Sequence, residues 1–121
     1  VVFHGRVDAG ELERLYSTAA LLVHPSLYEG FGLTPLEAMS HDTPVAVSDI
    51  PPLREVCGDA AEYFDPYSPS SIRDACFAVL TDVAATTQRI TTGQSRVSQM
   101  SWSKSVSEHT SLVRGMLDDI G

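Results

Sequence analysis

Basic charge is scarce in this chain. Lys and Arg number 8 against 16 Asp and Glu, a formal net charge of −8 over 121 residues. Nucleic acid and anionic membrane surfaces are bound through clustered Lys and Arg, so neither is expected as a partner of this segment. Cysteine is scarcer still. Cys57 and Cys76 lie in helix-like segments with apolar faces and read as buried reduced thiols. His4, His24, His41 and His109 are scattered, and nothing has metal-ligand spacing, so no metal site is expected. No apolar run approaches the roughly 20 residues of a membrane span, and no signal-peptide pattern opens the chain. Internal repeats, low-complexity tracts and long linkers are also missing. What is present, 43% apolar and 20% charged residues, is the composition of one globular domain with a real core. The chain opens without methionine on a strand-like run and is read as starting partway through a larger protein.

Val1–His4 is β-branched and aromatic and predicts a buried strand, ended by Gly5. Arg6 follows, the only basic residue near the strand ends that flank the central loop. Asp8 and Glu11 have capping-box spacing, ahead of Leu12, Leu15, Tyr16 and Ala19 at helical intervals. Leu21–His24 predicts a second strand, apolar as in a sheet covered on both faces. Pro25–Leu33 reads as a loop. Thr34-Pro35-Leu36-Glu37 then predicts a helix start, with Pro at the first helical position and a Thr-x-x-Glu capping box. That helix ends near His41-Asp42, because Thr43-Pro44 does not continue it.

Val45–Val47 reads as a third strand and Ser48–Pro52 as a loop. Leu53, Val56 and Cys57 line a short helix stopped by Gly58 at a left-handed position, and Ala61–Phe64 is a fourth strand. After the turn at Asp65–Ser68, a helix carries Ile72, Ala75, Cys76, Val79 and Leu80 on one stripe. Val83, Ile90 and Val97 mark another across Val83–Met100. Ser101 caps a last one, with Trp102, Val106, Val113, Leu117 and Ile120 on one side.

Strands alternating with helices over such short connections imply an α/β fold, a parallel Rossmann-like sheet with helices on both faces. In such sheets ligands bind at the carboxyl ends of the strands. Gly5-Arg6, His24 to Thr34, Ser48–Pro52 and Asp65 all fall there. Within that edge, Gly30 and Gly32 take side chains out of a tight turn, so main-chain N–H groups face a ligand and the following helix adds partial positive charge. Such donors suit a diphosphate. Glu29 and Glu37 repel phosphate but accept hydrogen bonds from hydroxyls. N–H donors in the middle and carboxylates outside suit a diphosphate flanked by polyols, as in a nucleotide sugar. Each residue also has a purely structural account. A capping box explains Glu37, solvation explains Glu29, and turn geometry explains both glycines. His24 reads as a core histidine bonded to a backbone carbonyl, and Trp102 as packing at a helix start.

Pro25-Ser26-x-x-Glu29-Gly30-Phe31-Gly32-Leu33-x-x-x-Glu37-Ala38-Met39, followed by Thr43-Pro44-Val45, resembles the donor-site signature of retaining GT-B glycosyltransferases of family 4. Leu12–Tyr16 with Ala19, Leu53–Ala60 and Ser101-Trp102 extend the resemblance over nearly the whole chain. The resemblance implies the C-terminal half of a GT-B fold. It also implies transfer of a glycosyl group from a nucleotide-diphosphate sugar to an acceptor hydroxyl, with retention and without a metal or other cofactor. By position, Glu29 is the catalytic candidate, binding hydroxyls of the donor sugar near the reacting carbon. Glu37 binds the ribose. The N–H groups of Gly30, Phe31, Gly32, Leu33 and Thr34 hold the sugar and diphosphate, and Gly5, Arg6 and Val7 lie near the base.

Two departures from the pattern stand out. His41-Asp42 replaces the glycine usual between the short helix and the next strand, and Asp is expected to take the left-handed turn. The family's Arg and Lys against the diphosphate have no counterpart in residues 1–121 unless Arg6 serves. Residues 1–121 are therefore read as a single partial donor-binding domain. The upstream part and the acceptor domain, which would take a carbohydrate or lipid-linked acceptor, are missing, and the fragment is expected to be inactive alone. A cytoplasmic location is expected, with any membrane contact made through the missing domain. General likeness of the loop favours mannose from a GDP donor. The alternatives are a related GT-B enzyme, such as a sugar phosphorylase or nucleotide-sugar epimerase, and a non-catalytic nucleotide-sugar-binding module.

Overall fold

The computed structural model describes residues 1–100. The helix expected from Ser101 to Ile120 lies outside the described residues. The elements run in the order α1 (Ala9–Thr18), β1 (Leu22–His24), α2 (Leu33–Ser40), β2 (Val45–Ser48), α3 (Pro51–Cys57), a 3₁₀ turn (Gly58–Ala60), β3 (Ala61–Phe64), α4 (Pro69–Thr81) and α5 (Val83–Gln99). The strands form a parallel sheet in the order β1-β2-β3. Leu22 pairs with Val45, and Val45 with Ala61.

β2 is buried along its whole length, which explains its unbroken small and apolar sequence. Val45 and Val47 point to one face, packing with Tyr16, Ala38, Met39, Leu53, Val56 and Cys57 from α1, α2 and α3. Ala46 points to the other face and packs with Phe64 and with Ala75 and Val79 of α4. Helices therefore cover both faces, as the strand-helix alternation predicts. Leu53 is wholly buried. Burying such a side chain contributes roughly 1.5–3 kcal/mol.

The first residues depart from expectation. Val1–His4 forms no strand, and Val1, Val2 and Phe3 are exposed. A strand needs a ladder partner and covered faces, and among the described residues this run has neither. Local pattern marks the capacity to be a strand, not the presence of a neighbour. Cys57 is buried as expected, while Cys76 is only half-buried. Leu80 is exposed, so the buried stripe of α4 is narrower than its spacing predicts, and Val83 at the start of α5 is exposed as well.

α5 meets α2 through a residue with no hydropathy signal. Gly93 is buried, and a Cβ there would lie 3.2 Å from Met39 Cγ. The close approach lets Gln94 Nε2 donate to the Met39 carbonyl at 2.9 Å and to the Asp42 carboxylate. Asp42 has φ 58, the one positive value for a non-glycine residue among the described residues. The left-handed turn expected in place of glycine is thus present, and α5 supplies a hydrogen bond that holds it.

Candidate functional site

The loop from Pro25 to Gly32 leaves the carboxyl end of β1 and delivers the chain into α2. α2 starts at Leu33, with Gly32 as its N-cap at φ 73 and no side-chain capping bond. This corrects the expected start at Thr34-Pro35. Pro35 occupies the third helical position, where its missing N–H still costs no hydrogen bond. The Thr34–Glu37 capping box is not formed, so capping does not account for Glu37. The uncapped first turn keeps its amides available to an anion.

The two glycines separate in role. A Cβ on Gly32 would meet Leu53 Cδ2 at 3.3 Å and Val56 Cγ2 at 3.4 Å, and its φ is left-handed. Gly32 is therefore demanded by the fold. Gly30 has open space where a side chain would stand, which leaves room beside its backbone. Tyr28, Phe31 and Leu33 are exposed, and Thr34 is half-buried.

Glu29 is gripped at both oxygens. His24 Nε2 lies 2.7 Å from Oε2, and the Gly32 amide donates to Oε1 at 3.4 Å. The bond from His24 holds the Glu29 carboxyl below its usual range, against an opposing push from partial burial. His24 is not the carbonyl-bonded core histidine of the sequence reading. Its ring faces the loop.

Glu37 accepts a hydrogen bond from the Tyr16 hydroxyl at 2.9 Å through Oε2. Oε1 has no hydrogen-bond partner among the described residues. Tyr16 is buried, stacks on His41 with ring centroids 5.6 Å apart, and receives the Thr43 hydroxyl on its carbonyl. Burial first, and then the Glu37 carboxylate, pushes the Tyr16 phenol up to about 12, so it stays a donor.

Gly5 has φ 63 and open space around it, Arg6 is exposed and Val7 half-buried. No hydrogen bond or ion pair joins these three to the loop among the described residues. A basic residue that the sequence reading passed over does stand at the same sheet edge. Arg54 in α3 makes a two-pronged ion pair with Asp49, at 2.7 and 2.9 Å, and its guanidinium lies 3.8 Å over the Tyr63 ring. That pairing lowers the Asp49 carboxyl. Asp49 directly after β2, with Arg54 one turn into the next helix, was the available signal. Among the described residues, no three His, Cys, Asp or Glu side chains converge as metal ligands.

The arrangement joins peptide N–H groups at a helix start to two fixed carboxylates. Residues 1–96 match the family model described as glycosyl transferases group 1. The chain is 48% identical over 75 residues to the O-antigen chain mannosyltransferase RfbU of Salmonella typhimurium, covering 62% of this chain and 21% of that protein. It is 39% identical over 98 residues to O-antigen chain mannosyltransferase B of Escherichia coli, covering 81% of this chain and 26% of that protein. The sucrose-phosphate synthase of Thermosynechococcus elongatus superposes with a TM-score of 0.86 at 28% identity, covering 98% of this chain and 30% of that one. The chain thus spans about a quarter of the length of these relatives, with the fold of one half of a GT-B enzyme, and it belongs to the glycosyl transferases group 1 family.

Proposed function

We propose that this chain is part of the donor-binding domain of a retaining glycosyltransferase that moves mannose from a nucleotide-diphosphate sugar to an acceptor hydroxyl. The observation that carries the proposal is the pair of fixed carboxylates, Glu29 and Glu37, on either side of the uncapped N-terminus of α2. Glu37 offers Oε1 to the ribose hydroxyls, and Glu29 offers its remaining lone pairs to the donor sugar. The amides of Gly30, Phe31, Leu33 and Thr34 meet the sugar and diphosphate, the Gly32 amide being turned to Glu29, with no metal required. Gly5, Arg6 and Val7 lie towards the base.

In the reaction, the bond from the anomeric carbon to the diphosphate oxygen breaks. A bond from that carbon to the acceptor oxygen forms on the same face. The acceptor proton passes to the leaving diphosphate. Catalysis rests on positioning and on stabilising the charge of the leaving group. Mannose is favoured by the mannosyltransferases among the relatives. The acceptor, a carbohydrate or a lipid-linked sugar, is taken by the rest of the protein, and residues 1–121 alone are expected to be inactive.

The test is a donor screen on the full-length enzyme, with UDP-, GDP- and ADP-sugars and with and without a chelator. Turnover of a GDP-mannose-type donor that survives the chelator supports the reading. A requirement for free inorganic phosphate as substrate, or donor binding without transfer to any acceptor, overturns it.

A further inference from the structure

We propose that His24 is a positioning residue for Glu29, setting the direction in which the carboxylate faces the donor sugar. This rests on the role given to Glu29 above. His24 is the last residue of β1 and pairs with Val47 in the ladder. Its carbonyl also accepts a hydrogen bond from the buried Ser48 hydroxyl at 3.3 Å. The backbone that carries the imidazole is therefore anchored to the central strand. Glu29 has no such anchor, for Leu27, Tyr28, Gly30 and Phe31 around it are all exposed.

Of its two restraints, the Gly32 amide is long at 3.4 Å and the His24 ring is short at 2.7 Å. The short bond dominates, because hydrogen bonds weaken steeply beyond about 3.2 Å. An ionised carboxylate only accepts, so Nε2 carries the hydrogen whatever the charge on the ring. The two side chains are only 21% and 22% exposed, which limits competition from water. Each carboxylate oxygen has room for about two hydrogen bonds, so a lone pair on each remains for sugar hydroxyls.

The geometry predicts which substitutions restore function. Gln extends its amide nitrogen to about the place of Nε2. Asn is too short to reach it, and Phe keeps the ring but has no donor. In the full-length enzyme, His24→Phe and His24→Asn are each expected to lower kcat about 10- to 100-fold with donor KM within about threefold, as for small misplacements near reacting atoms. His24→Gln is expected to keep most of the rate. Because His24 acts through Glu29, the double variant His24→Phe/Glu29→Gln is expected to be no slower than Glu29→Gln alone.

Wild-type kcat in both the Phe and Asn variants overturns the proposal. So does a Gln variant as slow as the Phe variant, or multiplied losses in the double variant. Where the Phe variant folds poorly, the contrast between Gln and Asn carries the same test. If Glu29→Ala leaves transfer unchanged, the role of Glu29 itself falls. A loss in Glu29→Ala with none in the His24 variants removes the positioning role alone.

Discussion

Glu29 stands on a loop and is fixed by His24 and Gly32, its near neighbours in the chain, whereas Glu37 stands on α2 and is fixed by Tyr16 from a separate helix. The loop carboxylate is held only by residues within five positions of it in the chain. The helical one is joined to the core, because Tyr16 is buried, stacks on His41 and takes the Thr43 hydroxyl on its carbonyl. Chemistry and stability are therefore separable at Glu29 and coupled at Glu37. Under the proposed roles, the position nearest the reacting carbon stands on the exposed loop, and the ribose-binding position stands on a helix joined to the core.

The largest contrast should come from truncating each acid in the full-length enzyme. Glu29→Ala is expected to lower kcat about 100-fold or more, in the range seen when a transition-state contact is removed. Its thermal midpoint should fall only by the small contribution of the His24 contact, less than in Glu37→Ala. Glu37→Ala is expected to weaken donor binding by about 1.5–3 kcal/mol, the worth of a charge-assisted hydrogen bond. It should also lower the midpoint, because the Tyr16 hydroxyl loses its acceptor. Glu37→Gln keeps that acceptor and isolates the charge. Matching profiles of kcat, donor Kd and midpoint for the two alanine variants would break the comparison.

A smaller effect sharpens the coupled side. Tyr16→Phe keeps the ring against His41 and removes only the hydroxyl. Denaturant titration should show a loss of about 1.5 kcal/mol, the lower end for a hydrogen bond to a charged group, and calorimetry a weaker donor Kd by a few-fold. Unchanged donor affinity would mean that Tyr16 packs beside Glu37 without orienting it.

The smallest effects are in pH. The Glu29 carboxyl is lowered in the folded chain, so its contribution is present above the ordinary value of 4.5 and is lost as pH falls through the lowered value. The Tyr16 phenol is raised from 10 to about 12, so its contribution is present below pH 10 and is lost between those values. Thermal midpoints followed across pH should show both limbs. His24→Phe should flatten the acid limb and Tyr16→Phe the alkaline one, and an unaltered limb would count against the corresponding pair.

The elements written in local pattern were legible. α1 shows in Asp8, whose carboxylate accepts from the Glu11 amide at 2.8 Å, although Glu11 turns to Arg14 and does not complete the box. β2 shows in its apolar run, and the left-handed turn in Asp42. What stayed hidden was set by tertiary contact. The start of α2 at Gly32 depends on the approach of Leu53 and Val56, which no local spacing encodes. The partners of the two acids, His24 and Tyr16, became visible only once β1, α1 and α2 were packed. The buried point of α5 is a glycine, and hydropathy gives glycine no voice, while Val83, which it favours, is exposed.

The bond from Gln94 to the Asp42 turn bears on the order of assembly. The corner that ends the helix of Glu37 is tied by a residue 52 positions later in the chain. Contacts of such sequence separation carry a large loop-closure cost and form late. During synthesis, the α2 corner stays without its tie until Gln94, in the fourth turn of α5, has been made. The loop of Glu29 waits in turn for Leu53 and Val56, which close on Gly32. Support for the complete site is thus drawn from residues as far apart in the chain as Tyr16 and Gln94.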